Sequence, residues 1–166
     1  VPEDAEAYHF MGKVYLRKGL YPQALESVRF SLLCRPRNSE ALVDLGMCYD
    51  ALKDSAMAKK FLLKALAIDP QSARAYYCLG LMAQAESQED DAIRYFKKAA
   101  GLSPENARYH LALGKAFFAK SAAGGTSFLS QAEKEFIQAQ ELLKHYPDVQ
   151  LSRQLEENVK ALHKKI

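Results

Sequence analysis

The sequence has no tryptophan and only three cysteines, Cys34, Cys48 and Cys78. An odd count without a C-x-x-C pair indicates neither a disulfide framework nor a zinc site. Thiols of this kind sit buried in helices and fit a reducing compartment such as the cytoplasm. No apolar run approaches the ~18 residues that cross a bilayer, so membrane insertion is not expected. The first residues hold no basic stretch followed by an apolar segment and a small-residue cleavage site. An excess of one charge is also lacking, since 23 basic residues stand among 20 acidic ones for a net +3. Nucleic-acid binders carry a concentrated basic face, so nucleic acid is not an expected partner. The nearest cluster, His163-Lys164-Lys165, reads as a solvated helix end whose cations suit the negative pole of the helix dipole.

Catalytic signatures are missing too. The histidines His9, His110, His145 and His163 lie in no metal-ligand spacing, and no H-E-x-x-H occurs. There is no nucleophile elbow and no glycine loop that would cradle a phosphate. The chain is therefore not expected to be an enzyme, and no cofactor or metal is expected. The tyrosines fall mainly in packing columns rather than in a stacking platform for bases.

What is present is a period. Prolines recur at Pro2, Pro36, Pro70 and Pro104, glycines at Gly12, Gly46, Gly80 and Gly114, both 34 residues apart. Capping residues Asp4, Asn38, Ser72 and Asn106 keep the same register, and Ala24, Ala58 and Ala92 follow. Self-similarity at such a period marks a repeat architecture. Proline stops one helix, and the Asp, Asn or Ser two residues on can accept from the free N–H groups of the next. Glycine inside a helix costs about 1 kcal/mol relative to alanine, a cost tolerated where another backbone must come close. The alanines supply the facing small surface.

Apolar spacing agrees. Tyr8, Met11, Gly12 and Tyr15 stand at i, i+3, i+4 and i+7, one helix face, and the pattern repeats at Leu42, Tyr76 and His110. His110 thus falls in a packing column and reads as a packed residue rather than a base. Short breaks at Lys18-Gly19-Leu20, Lys53-Asp54 and Glu86-Ser87-Gln88 turn each hairpin. In the fourth copy the alanine comes at Ala132, six residues later than 126, the position the period sets. The insertion falls near 120–127, where Gly124-Gly125 favour a turn. Leu151, Leu155, Val159 and Leu162 form the stripe of one last helix without a mate.

The Leu/Tyr-x-x-Met/Leu-Gly-x-x-Tyr/Phe run, the Ala-x-x-x-Phe-x-x-Ala run (Ala92, Phe96, Ala99) and the closing proline resemble the tetratricopeptide repeat family across nearly the whole chain. Ala83 in place of an aromatic and Ser31 in place of alanine are mild departures. The resemblance implies an all-α, right-handed superhelical solenoid of four helical hairpins plus a C-terminal capping helix. A single domain over 1–166 is expected, with repeats at about 5–36, 39–70, 73–104 and 107–144 and the cap at about 148–165. A solenoid needs such a cap to shield its last open face. Pro2 stands where the family pattern closes a preceding repeat, so an array cut from a longer protein is expected.

In this family the first helices line a concave groove. A stripe about 100° round from the packing face holds His9, Lys13 and Leu16, then Val43, Met47 and Asp50, then Tyr77, Leu81 and Gln84, and finally Leu111, Lys115 and Phe118. Its middle is apolar, and exposed apolar patches mark interaction sites. The expected ligand is an apolar peptide or helix of another protein, with Lys13 and Lys115 flanking it; the same residues would alternatively pack between repeats. Co-chaperones of the family that grip acidic C-terminal tails use Lys, Asn, Asn, Lys and Arg in set columns. Here those columns hold His9, Lys13, Asp44, Arg74 and Cys78, and starting one repeat later, Val43, Met47, Cys78, Arg108 and Ala112. Neither forms a two-carboxylate clamp. The expected function is a non-catalytic adaptor or scaffold, co-chaperone-like in the broad sense. The alternatives are a scaffold that self-associates, as a homo-oligomer through the open N-terminal repeat face, and a regulatory domain of a larger protein.

Overall fold

A computed structural model describes residues 4–122 and 126–165. Among them nine α-helices follow one another without a strand. They are α1 (Asp4–Arg17), α2 (Tyr21–Cys34), α3 (Ser39–Ala51), α4 (Ser55–Ile68), α5 (Ala73–Ala85), α6 (Glu89–Leu102), α7 (Ala107–Ser121), α8 (Thr126–His145) and α9 (Val149–His163). The chain is an all-α helical repeat of the solenoid class. Val1-Pro2 and Gly124-Gly125 lie outside the described residues.

The chain divides into two compact units, residues 1–82 and 83–166. In the first, α1 packs on α2, α3 packs on α4, and α3 also meets α2 and α1. Val28 of α2 joins Ala41 and Leu45 of α3 in a buried cluster flanked by Leu25, Leu32, Tyr49 and Phe61. In the second, α7 is central, packing on α6, α8 and α9. The stripe of α9 is sealed at Leu151, Leu155 and Leu162.

The punctuation works as the sequence suggests. Pro36, Pro70 and Pro104 stand in the turns between hairpins. The Asn38 side chain accepts from the Ala41 N–H at 3.1 Å and Asn106 from the Arg108 N–H at 3.1 Å. Asp54 and Asp148 cap α4 and α9 in the same way. The bend inside each of the first three hairpins needs one residue with positive φ: Gly19 at 72°, Lys53 at 67° and Ser87 at 56°. Only the first is the glycine that this conformation favours. The insertion does not all enter a loop. Helix α7 has 15 residues against 13 in α3 and α5, and α8 has 20 against 14 in α2, α4 and α6.

The glycine column sets the hairpin spacing. A Cβ on Gly46 would stand 2.9 Å from Leu62 Cγ and 3.2 Å from the Ala58 carbonyl oxygen. On Gly114 it would stand 2.5 Å from Phe136 Cε1 and 3.3 Å from the Ala132 carbonyl oxygen. The facing alanines are fully buried. We expect Gly114→Ala to destabilise the protein by about 1–3 kcal/mol, although alanine is intrinsically the better helix former by about 1 kcal/mol. Urea denaturation measures it, and an unchanged or raised midpoint would remove the close-approach account of this column.

Candidate protein-binding face

In residues 1–82 the first helices α1, α3 and α5 are tied by a chain of charged side chains. Asp44 of α3 is wholly enclosed. Its Oδ2 accepts from His9 Nε2 of α1 at 2.7 Å, and its Oδ1 accepts from Arg74 Nη2 of α5. The same guanidinium nitrogen lies 3.1 Å from Met47 Sδ. Beside this chain Lys13 of α1 donates to Glu40 of α3 at 2.6 Å. Burial works against the Arg74 charge, but the Asp44 carboxylate beside it and the bond between them prevail, and the guanidinium is raised above its ordinary value. Burial, and then the Asp44 charge, pushes the Cys48 thiol up to about 12. Burial likewise pushes Cys78 up to about 12, with Arg74 opposing. Both are neutral thiols at physiological pH, packed rather than nucleophilic.

The expected groove residues fall into two classes. Val43 and Leu111 are 1% and 2% exposed, and His9 is buried against Asp44. These three belong to helix packing and present no surface to a ligand. Their column sits on the side of each first helix where α1 meets α3 and α7 meets α9, so a 100° turn from the packing face does not carry it clear of the core. Tyr77, in the same column, is half-buried. The next two columns reach water. Lys13, Met47, Lys115 and Phe118 are half-buried, while Asp50, Leu81 and Gln84 are exposed.

Met47 of α3 and Tyr77 of α5 are half-buried, and Asp50 and Leu81 on the same two helices are exposed. The Asp50 charge is close enough to act on the Cys78 thiol. In residues 83–166 the corresponding side of α7 meets α9. Lys115 Nζ donates to Gln154 at 3.2 Å, and Lys165 Nζ lies 4.6 Å from the centre of the Phe118 ring. Burial lowers the Lys115 ammonium from its ordinary value, against the Glu157 charge. The His9–Asp44–Arg74 chain is a feature that periodicity alone does not reveal. Its signal was an acid at position 44, in a column otherwise filled by Phe10, Cys78 and Ala112.

His110 is a packed residue with two acceptors. Nδ1 meets Glu135 Oε2 at 2.7 Å and Nε2 meets the Pro104 carbonyl oxygen at 3.0 Å. Only the doubly protonated ring donates to both. Its pKa is raised by the Glu135 bond first, with burial opposing and the Pro104 bond assisting.

Models described as tetratricopeptide repeat match residues 39–72, 61–94 and 79–125, together just over half of the chain. The chain belongs to the tetratricopeptide repeat family. Its fold is that of protein–protein interaction modules. MamA of Desulfovibrio magneticus RS-1 is 28% identical, with 87% of this chain and 78% of that one covered and a TM-score of 0.67. PilF of Pseudomonas aeruginosa is 21% identical over 98% of this chain and 70% of its own, with a TM-score of 0.80. The first repeat domain of Spaghetti, bound to the HSP90 peptide SRMEEVD, is 21% identical over 73% of this chain and 96% of its own, with a TM-score of 0.65. No protein of curated function matches significantly. Among the described residues no helix is long and apolar enough to cross a membrane.

Two predictions follow from the charged contacts. Arg74→Met leaves the enclosed Asp44 carboxylate short of its cation and should cost about 3 kcal/mol. Adding Asp44→Asn should recover most of that loss, because the charge goes with its partner. Urea unfolding of the two single variants and the double variant tests this, and additive losses would refute the coupling. For His110 the folded pKa lies above its unfolded value of ~6.5, so its contribution is complete below that value. It is lost as pH rises through the folded pKa. As pH rises above the unfolded value of ~6.5 and through the folded pKa, the wild type should lose stability that His110→Gln does not lose; parallel pH profiles would contradict it.

Proposed function

We propose that the chain is a non-catalytic adaptor that holds a peptide or helix of a partner protein against the first-helix side of residues 1–82. Met47, Tyr77 and Leu81 supply apolar contact there, and Lys13 and Asp50 border it. The observation that carries this reading is the exposure of Leu81, 40%, beside a half-buried methionine and tyrosine on helices otherwise committed to packing. Adjoining apolar side chains left in water mark recognition surfaces, and methionine adapts to varied partners. The family's fold supports peptide capture, as the HSP90 peptide bound by the Spaghetti domain illustrates.

The chemistry of the ligand differs from an acidic tail. Asp44 already lies between His9 and Arg74, so the Arg74 cation that would meet a ligand carboxylate is satisfied from within. A second acid brought there meets the Asp44 charge. A neutral or mildly amphipathic apolar segment meets no such opposition.

The test compares partners captured by wild type, by Leu81→Asp and by the Tyr77→Ala/Leu81→Ala double variant, identified by mass spectrometry. A partner of this face is retained by the wild type and lost from both variants, while the helical circular dichroism and its melting transition stay close to wild type. Capture that is unchanged in folded Leu81→Asp rules this face out.

A further inference from the structure

Helix α4 buries Ala58, Leu62 and Ala65 and turns another stripe to water. Ala56, Lys60, Leu63 and Ala67 follow one another at intervals of four, three and four, and all are exposed, Leu63 to 48%. Lys59 and Lys64, also exposed, stand on the two sides of that stripe. The charge here is all of one sign. No acid occurs between Ser55 and Ile68, and none of the three lysines meets one among the described residues. The acids at the two ends are engaged, since Asp54 accepts from the Met57 N–H and Asp69 from the Gln71 N–H. The other second helices do place an acid in this stripe, Glu26 in α2, Asp90 in α6 and Glu141 in α8. The last two are paired, with Lys120 and Lys144. Lys60 and Lys64, four apart, repel each other and weaken their helix; an anion laid across both removes that cost.

We propose that this side of α4 docks an acidic amphipathic α-helix of a partner protein. Intervals of four, three and four are those of a coiled-coil seam, and lysines beside such a seam take carboxylates from the facing helix. Lys60 stands within the seam, where a charged residue fixes the register and the choice of partner. The alanines at the ends of the stripe let a helix backbone come near, and Leu63 between them supplies apolar contact. The partner helix therefore carries leucine along its own seam and acids on both flanks. An extended acidic tail would meet the lysines but would leave Leu63 in water. The site lies on a second helix, apart from the Met47–Leu81 face on the first helices, and does not depend on it.

The probe is a hydrocarbon-stapled peptide of about three heptads, with leucine at its seam and glutamate on both flanks. Its control carries lysine in place of every glutamate. Titrated into isotope-labelled protein at about 0.15 M salt, the acidic peptide should shift the amide resonances of Ala56, Lys60, Leu63 and Ala67 saturably. The control should bind at least about tenfold more weakly. The triple variant Lys59→Glu/Lys60→Glu/Lys64→Glu changes only side chains already in water; it should keep the melting temperature and reverse that preference. Leu63→Ser should weaken the acidic peptide and leave the charge preference in place. The proposal falls if about 1 mM acidic peptide gives no saturable shift on α4, if the shifts map to other helices, or if the triple variant binds it as the wild type does. Equal binding of unstructured polyglutamate of the same charge also overturns it, since the occupant is then an acidic tail. So does binding of phosphatidylserine vesicles through the three lysines without binding of the acidic helix, which makes the occupant a membrane surface.

Discussion

The constraint on which the rest depends is the near-contact inside the α3–α4 and α7–α8 hairpins, where Gly46 meets Ala58 and Gly114 meets Ala132 with no room for a Cβ. It brings the second helix so close that its remaining apolar edge reaches the next first helix, as Val28 reaches Ala41 and Leu45. Helices α3 and α7 are thereby committed on two sides, one to the hairpin mate and one to the second helix before it. Contacts between first helices, held in residues 1–82 by His9, Asp44 and Arg74, use part of a third. The arc left for a ligand is narrow. That is why residues one helical turn apart, such as buried Val43 and half-buried Met47, differ in exposure although a helical wheel puts them on one side.

The period, the helix boundaries, the capping asparagines and the turn prolines were legible because each is a local requirement repeated in register. Proline and asparagine act within a few residues of themselves, so a column of them carries its meaning without any tertiary information. The candidate face was legible only in part. Its stripe could be indexed, but which edge lies inward depends on how far the neighbouring first helix reaches, and no local residue encodes that. Val43 and Leu111 were therefore read as groove residues and are core. The lengths of α7 and α8 escaped for another reason. Residues near an insertion obey no column, and a helix extends for as long as its flanks tolerate it. Lys53 and Ser87 adopt the positive φ that Gly19 adopts because the hairpin bend imposes it, at a strain that sequence composition does not advertise.

Asp44 shows how the same scaffold acquires selectivity. Burying a carboxylate carries a desolvation penalty that an ion pair with Arg74 and a bond from His9 scarcely exceed, so stability alone gives little reason for an acid there. What the arrangement does is commit the Arg74 cation to an internal anion. On the proposed reading, a groove prepared in that way would discriminate against acidic ligands by repulsion rather than by added attraction. The first repeat carries the opposite choice in the same column. Phe10 stands in that column and is 69% exposed. One column thus holds a paired acid in the second repeat and an aromatic in the first, so a position that the period makes equivalent differs in chemistry from copy to copy.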